Sequence, residues 1–571
     1  MTIMGGCWVR LAAGTREPAP PAERHGTVTS AALLLLLATA TLTINLGALH
    51  NVVPAQGDEI FHVMRLRELR GILLTPSGFV TFGIAAGCLL LAVRTALPAP
   101  VTFLVTAAGF MLAAGFTSLF HSPGLDYFLM RYPFLSIWFH QVGPVWNAMK
   151  LYEASFRVVP LAAAIGLGWF LLSGLRRETG GLTALGAGLC VVTIPTVHYH
   201  ATILYLELPA VLLLTLALAD VERFAGAGLR ELRRLPAWYA LLAVSFIKET
   251  MFIPILFLLV IRLGVRLQCS FTHRWHDRRR VLMEETAVWF CVVTPFALYM
   301  LFRDRYGDFR RYEPYFGNLA QPNLWMTFGL SLLRQMGPIL LPALAGWLMT
   351  IREKRFTFAT ATAGVFGAAT VFFFMDNDYL VGLARFNLAL LAPLLIASLP
   401  AITRLARCRP VWCRLFILGC LTINLFLSPV SMSGAKRPGW SAPLSMADGE
   451  YYFPFDEVTR WLHSNRPDVP ILIGGAFFHN CLPWYFEEAG YHPKISYSRI
   501  RMDASPAEAL MGTIRTAREH DIPLVLYHRM TGGPVLPPSE REISGYHAVH
   551  VAAGRYLAMV VYERGDASVG I

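Results

Sequence analysis

Just after its first long apolar run the chain reads Gly57-Asp58-Glu59-Ile60-Phe61-His62. Two adjacent carboxylates and an imidazole thus stand where a membrane-crossing segment should re-emerge into water. Acids at a membrane face are costly unless solvated or used, so Asp58 and Glu59 are candidates for proton transfer from an attacking hydroxyl. The same pair also suits the plain N-cap of a helix predicted over Ile60 to Leu74, because acids favour helix N-termini.

Four more sets of residues have usable chemistry. Arg131-Tyr132-Pro133-Phe134-Leu135 precedes the aromatic-rich run Ser136 to His140. A guanidinium beside such a run suits a phosphate whose lipid tail lies in the bilayer, or else a snorkelling arginine in an aromatic belt. His198-Tyr199-His200 is followed by Glu207 near the outer end of an apolar span. Two histidines at i and i+2 do not share a helix face, and no third ligand is evident, so no metal is assigned. Lys248-Glu249 interrupts an apolar stretch, and a lysine so placed pairs with an acid or binds an anion. Arg385 opens a span after Asp376-Asn377-Asp378 and is a weaker candidate of the same kind. A loop predicted over 303–323, with four arginines and three tyrosines, is either an anion-binding surface or a solvated one.

The elements that must position these groups are mostly membrane helices. The chain has 571 residues, 55% hydrophobic and only 15% charged, with mean hydropathy +0.49. Soluble proteins carry roughly 25% charged residues. The net charge of +12 resides in short loops between apolar spans, so it reads as a topology signal and not as a nucleic-acid surface. The nine cysteines lack metal-ligand spacing, and only Cys481 falls in the large polar segment. Of the 49 basic residues five are lysine, and no asparagine lies in a glycosylation sequon, which together favour a bacterial inner membrane.

Residues 1–29 are polar or small and form an expected cytoplasmic segment. Spans are predicted at 30–49, 76–94, 99–120, 155–174, 181–197, 202–219, 285–302, 324–349, 356–375, 385–403 and 412–428. Residues 235–263 are apolar except around Lys248-Glu249, and basic loops flank them on both sides. Loops of like sidedness require an even number of crossings, so this stretch is predicted as two short antiparallel helices. The total is about thirteen. The loops rich in Lys and Arg alternate along this map and place the N-terminus inside, with Asp58, Glu59 and everything after Pro429 outside.

From residue 430 the pattern changes. A Ser-, Gly- and Pro-rich linker at 430–450 leads into short strand-like runs at Pro470 to Ile473, Pro523 to Tyr527 and Leu557 to Tyr562. Helical stretches at Phe455 to His463 and Pro506 to Glu519 alternate with them. The expected architecture is therefore a polytopic α-helical membrane domain over 30–429, with a soluble extracytoplasmic α/β domain over 430–571.

Taken in order, these elements resemble the GT-C integral-membrane glycosyltransferases, such as the protein O-mannosyltransferases and the aminoarabinose transferases of lipid A. The resemblance rests on Asp58-Glu59 in the first outside loop and on Arg131 to Leu135 against a Lys/Tyr-Pro-Pro-Leu element. Phe156-Arg157-Val158-Val159-Pro160 against a Phe-x-x-Arg-Leu-Pro run and Lys248-Glu249 against an Arg/Lys-Lys-Glu corner complete it. It covers roughly residues 30–400. Asp58 and Arg131 lie further apart than in the family, which an inserted apolar hairpin at about 76–120 explains; without an insertion Asp126 becomes the rival acid.

The resemblance implies a polyprenyl-phosphate sugar as donor and membrane lipid around it, with a glycan, lipid or protein as acceptor. Asp58 is implied as the base, with Glu59 or Glu207 orienting the acceptor or tuning Asp58. Arg131, with Lys248 or Arg385, is implied to hold the phosphate. His62, Tyr132, His198, His200 and Glu249 join the expected substrate-binding set. No cofactor is implied, a divalent cation is not indicated, and transfer inverts the anomeric centre. The competing readings are a transporter or flippase for lipid-linked or anionic substrates, and a scaffold of the same fold without activity. A transporter accounts for the many spans and for Lys248, but not for an acid pair, a phosphate-binding element and a large outside domain together.

Overall fold

The computed structural model describes residues 30–50, 152–201, 207–247, 251–271, 275–306, 316–376, 387–427, 455–475, 489–498, 506–529, 536–553 and 558–565, with a few single residues between. They fall into two compact units, a helical one and a mixed C-terminal one.

The helical unit begins with α1 (Ser30–His50), α2 (Tyr152–Thr179), α3 (Gly181–Val192), the short α4 (Pro195–His200) and α5 (Glu207–Ala219). Then come α6 (Pro236–Ile247), α7 (Phe252–Phe271) and α8 (Trp275–Tyr306). After a 3₁₀ turn at Phe316–Ala320, α9 (Pro322–Met336), α10 (Leu340–Arg352), α11 (Phe356–Asp376), α12 (Leu391–Cys408) and α13 (Pro410–Leu427) complete it. Among the described residues four stretches are long and apolar enough to cross a membrane: Val158–Thr179, Pro322–Arg352, Leu388–Cys408 and Pro410–Leu427. Shorter apolar helices at Ser30–Asn45, Gly181–Val192, Glu207–Ala219 and Phe356–Phe372 accompany them. The chain is a multi-spanning membrane protein.

Most expected spans recur with shifted ends, and three differ for a physical reason. The span expected at 181–197 stops at Val192, because Pro195 has no N–H to continue it and forces Ile194 into an extended conformation, φ −49° and ψ 127°. The span expected at 324–349 breaks at Gly337–Ile339, where Gly337 takes φ +61° ahead of Pro338. The span expected from 385 starts as a 3₁₀ turn at Leu388–Leu390 and runs on to Cys408. The apolar stretch 235–263 does form two helices, α6 and α7, with 248–250 outside the described residues, as are the expected spans at 76–94 and 99–120 apart from isolated helical positions. The loop expected from 303 is helical through Tyr306.

α12 is the centre of the unit. Every residue from Leu388 to Leu399 is buried, and α2, α5, α10, α11 and α13 all pack against this helix. The approach of α10 is close enough to require glycine. A Cβ on Gly346 would lie 1.7 Å from the carbonyl oxygen of Ala397. Small residues at such crossings let membrane helices meet backbone to backbone. Gly346→Ala is therefore expected to force α10 away from α12 and to lower stability by about 1–3 kcal/mol, read as a lower thermal midpoint in detergent.

Ion pairs cluster at helix ends that the charge rule assigns to the cytoplasmic side. Glu178 at the end of α2 takes a bidentate Arg407 from α12 at 2.7 Å, and Glu222 takes Arg355 at 2.9 Å. Asp220 holds Arg223 at 3.4 Å, Arg266 reaches Glu284 at 2.6 Å, and Arg262 binds Glu285. In the last pair α7 carries Arg262 into the interior with no solvent exposure.

The C-terminal unit is a six-stranded mixed sheet of β1 (Ile471–Gly475), β2 (Ile495–Tyr497), β3 (Leu524–Arg529), β4 (Glu542–Ile543), β5 (Tyr546–Ala553) and β6 (Ala558–Arg564). The strand order is β2-β1-β3-β6-β5-β4, with β1 parallel to both β2 and β3 and the remaining pairs antiparallel. Helices α14 (Phe455–Asn465) and α15 (Pro506–Glu519) sit on opposite faces. Strict alternation produces this. Ile471, Ile473, Leu524 and Leu526 meet Val458 and Leu462 of α14, whereas Leu472, Val525 and Tyr527 meet Leu510 and Ile514 of α15. All three expected strands and both expected helices are present. β2, β4 and β5 were not foreseen: the first two are very short, and His547 and His550 blur the alternation of the third.

Candidate functional site

Of the residues with candidate chemistry, Asp58, Glu59, His62, Arg131, Tyr132, Lys248, Glu249 and Arg385 lie outside the described residues, as does the rival acid Asp126. His198, His200 and Glu207 are described, and all three are buried inside the helical unit.

The histidines occupy α4, the fragment created by the break before Pro195. His198, Tyr199 and His200 are each at most 1% exposed, so residues at i and i+2 are both enclosed even though they leave the helix on different sides. His200 Nδ1 lies 2.7 Å from the Thr196 carbonyl oxygen, which can only accept. Nδ1 therefore carries a proton and donates it to that carbonyl. Tyr199 meets the same ring edge-on with centroids 5.1 Å apart. Among the described residues no group of three His, Cys, Asp or Glu side chains is placed to hold a metal ion.

Glu207 is the first residue of α5 and is 2% exposed. The unsatisfied N–H groups of a helix start favour a carboxylate there, which offsets part of the cost of burying it among apolar helices. α5 packs directly on α12 and its preceding 3₁₀ turn.

Beside these stands a set of buried amides that the sequence reading did not single out. The break at Pro195 removes the normal helical partner of the Cys190 carbonyl, which instead accepts from Asn424 Nδ2 of α13 at 2.9 Å and from Thr193 Oγ1 at 3.2 Å. The Cys190 thiol donates to the Ile417 carbonyl at 3.1 Å, a second tie between α3 and α13. Gly337, at the break between α9 and α10, closes the other side. A Cβ there would lie 2.7 Å from Asn424 Oδ1 and 3.9 Å from the Pro195 ring, so both its positive φ and its surroundings demand glycine. Two helix breaks thus abut around one asparagine. A second amide pair lies where α12 begins: Asn387 Nδ2 donates to Gln335 Oε1 at 2.8 Å, both side chains being buried.

Irregular backbone at membrane depth is tolerated where protein groups satisfy it or where it lines a cavity. The polar residues Gln335, Asn387 and Asn424 were visible in the sequence as amides inside predicted spans, and that was the signal missed. Asn424→Ala is expected to leave the Cys190 carbonyl short of its buried amide donor and to cost about 1–3 kcal/mol, measured by thermal unfolding in detergent. Asn424→Asp, with a similar shape but no N–H to donate, should not restore it.

The chemistry these described groups supply is hydrogen bonding and proton exchange within an apolar surround: one carboxylate at a helix start, two enclosed imidazoles and a layer of fixed amides.

No protein-family model and no curated protein matches the chain. Among solved structures the chain is similar to ArnT from Cupriavidus metallidurans in the apo state, with TM-score 0.41 and 12% identity over 73% of this chain and 85% of that one. It is also similar to ArnT from the same organism bound to undecaprenyl phosphate, with TM-score 0.44 and 14% identity over 85% of this chain and 98% of that one.

Proposed function

We propose that this protein is a membrane glycosyltransferase that moves a sugar from a polyprenyl-phosphate donor to an acceptor hydroxyl outside the cytoplasm, with inversion. The observation that carries this reading is the order of chemical groups along the chain. An acid pair follows the first span, an arginine-aromatic element comes next, and a Lys-Glu corner and an arginine at a helix start follow, all on the side that the charge rule places outside.

In this reaction Asp58 accepts the proton of the acceptor hydroxyl as its oxygen attacks the anomeric carbon in line. The bond from that carbon to the phosphate oxygen breaks, and its electron pair leaves with the phosphate. That leaving group is already anionic, so it needs cationic stabilisation and no acid. Arg131 supplies this, with Lys248 or Arg385. Glu59 or Glu207 orients the acceptor or raises the Asp58 pKa by like-charge repulsion, which makes it a better base.

The test is sugar transfer from a panel of polyprenyl-phosphate sugars by purified protein in lipid, wild type beside Asp58→Asn. Transfer by the wild type that is lost in a folded variant supports the assignment. Donor movement across the bilayer without any transfer would replace the enzyme with a transporter.

A further inference from the structure

Two clusters of charge stand at the helix ends that the charge rule assigns to the cytoplasmic side, and they differ in one respect. In the first, arginines and acids close on one another: Arg223 on Asp220 and Glu231, Arg355 on Glu222, Arg262 on Glu285, and Arg266 and Arg280 on Glu284. The second surrounds the turn between α12 and α13. There Arg404, Arg407, Arg409 and Arg414 are joined by Arg177 from the end of α2, and all five are exposed. The one carboxylate in these segments, 174–180 and 403–416, is Glu178, and Arg407 takes it up in a bidentate bridge at 2.7 Å. The guanidinium groups of Arg404, Arg409 and Arg414 form no ion pair and no hydrogen bond among the described residues.

Helix dipoles account for part of this surplus only. Arg404 and Arg407 suit the last turns of α12, where cations complement the dipole. Arg409 and Arg414 flank the start of α13, where the dipole disfavours them. α13 is a rim helix. Its buried residues Cys413, Ile417, Cys420 and Asn424 form a single stripe, while Trp412, Leu415 and Leu418 are exposed. On a membrane helix such side chains meet lipid tails, so the turn that ends this apolar surface stands at headgroup depth. Trp412, 63% exposed between Arg409 and Arg414, marks that boundary, because tryptophan gathers where tails meet headgroups.

We propose that the α12–α13 turn binds an anionic phospholipid, its phosphodiester held by Arg404, Arg409 and Arg414 and its acyl chains lying along Leu415 and Leu418. Arginine is the side chain whose fork matches phosphate oxygens, and these three have no other partner to give up. Cations at the membrane surface attract anionic headgroups, each adding to the affinity. The cations and the apolar surface adjoin, so a ligand charged at one end and apolar along the rest complements both. A soluble phosphate would complement the cations alone. The proposal rests neither on the transfer reaction above nor on which face of the membrane this turn occupies.

The experiment is native mass spectrometry of the full-length protein in detergent, titrated separately with phosphatidylglycerol and phosphatidylcholine of identical acyl chains. At its tightest site the wild type is expected to bind the anionic lipid about tenfold more strongly than the zwitterionic one. The triple variant Arg404→Gln/Arg409→Gln/Arg414→Gln should bring the two lipids within about twofold of each other. Arg280→Gln, in the cluster closed by acids, should leave the preference unchanged. If the triple variant lacks the wild-type thermal transition, Arg409→Gln alone replaces it, with an expected loss of about threefold. Equal affinity of the wild type for both lipids, a preference that survives in the folded variant, or equal loss in Arg280→Gln would each overturn the proposal. So would displacement of the bound lipid by glycerol 3-phosphate at equal concentration, which would make the ligand a soluble phosphate.

Discussion

Asp58→Asn should lower kcat for sugar transfer by roughly a thousandfold while leaving the donor KM near its wild-type value. Asparagine keeps the size and most of the hydrogen-bonding geometry of aspartate but cannot accept a proton at working pH. The acceptor hydroxyl would then attack unassisted, and the loss would appear in the chemical step and not in ground-state binding. The Arg131→Gln variant gives the contrast. In the proposed mechanism the wild-type cation holds the donor phosphate in both ground and transition states, so losing it should raise the donor KM as well as lower kcat. Single-turnover transfer with a radiolabelled polyprenyl-phosphate sugar separates the two. Activity that survives in Asp58→Asn and disappears in Asp126→Asn or Glu207→Gln would move the base to that residue.

Arg262→Met should cost about 3–5 kcal/mol of stability, the largest structural effect of any single exchange considered. The wild-type guanidinium donates from Nε to Glu285 Oε2 at 3.0 Å and from Nη2 to Glu285 Oε1 at 2.8 Å. Nη2 also reaches the Ala227 carbonyl at 2.8 Å, and Nη1 donates to that of Phe224, whose ring lies 5.2 Å below the guanidinium carbon. One side chain therefore ties α7, α8 and the short helix Val221–Gly226 together. Methionine fills similar space but strands a buried carboxylate and two carbonyls. Arg266, whose Nε is 3.4 Å from Glu285 Oε1, compensates only in part. Because most of the penalty is the orphaned charge, Arg262→Met/Glu285→Met should be more stable than Arg262→Met alone. Thermal unfolding of the four proteins of this cycle in detergent measures the coupling. A double variant no better than the single one would show that the carbonyl bonds, and not the ion pair, carry the effect.

The same residue shows where sequence reading stops. Arg262 follows an apolar run and precedes more arginines, so by pattern it is one of many topology charges. Nothing local marks it as the one that reaches Glu285 from 23 positions away. Pro195 and the Gly337-Pro338 pair are breakers by residue type, yet the spans expected at 181–197 and 324–349 run straight through them. What was not legible is that the two breaks meet and that Asn424 stands between them, because that contact joins three segments distant in the chain.

The sequence by itself determined the class of protein. Long apolar runs must leave water, short runs of alternating polarity must form half-buried strands, and both periodicities are local properties of the chain. It also supplied the catalytic candidates, since adjacent acids beside a membrane span are conspicuous by type alone. Only the tertiary structure decided which polar groups are enclosed: His198, His200 and Glu207 in the helical unit, and the Asn387–Gln335 and Asn424–Cys190 bonds beside them. It alone decided the strand order that sets Gly475 beside His528. Burial and register are relations between segments far apart in sequence. They depend on how the chain packs as a whole, which no local pattern encodes.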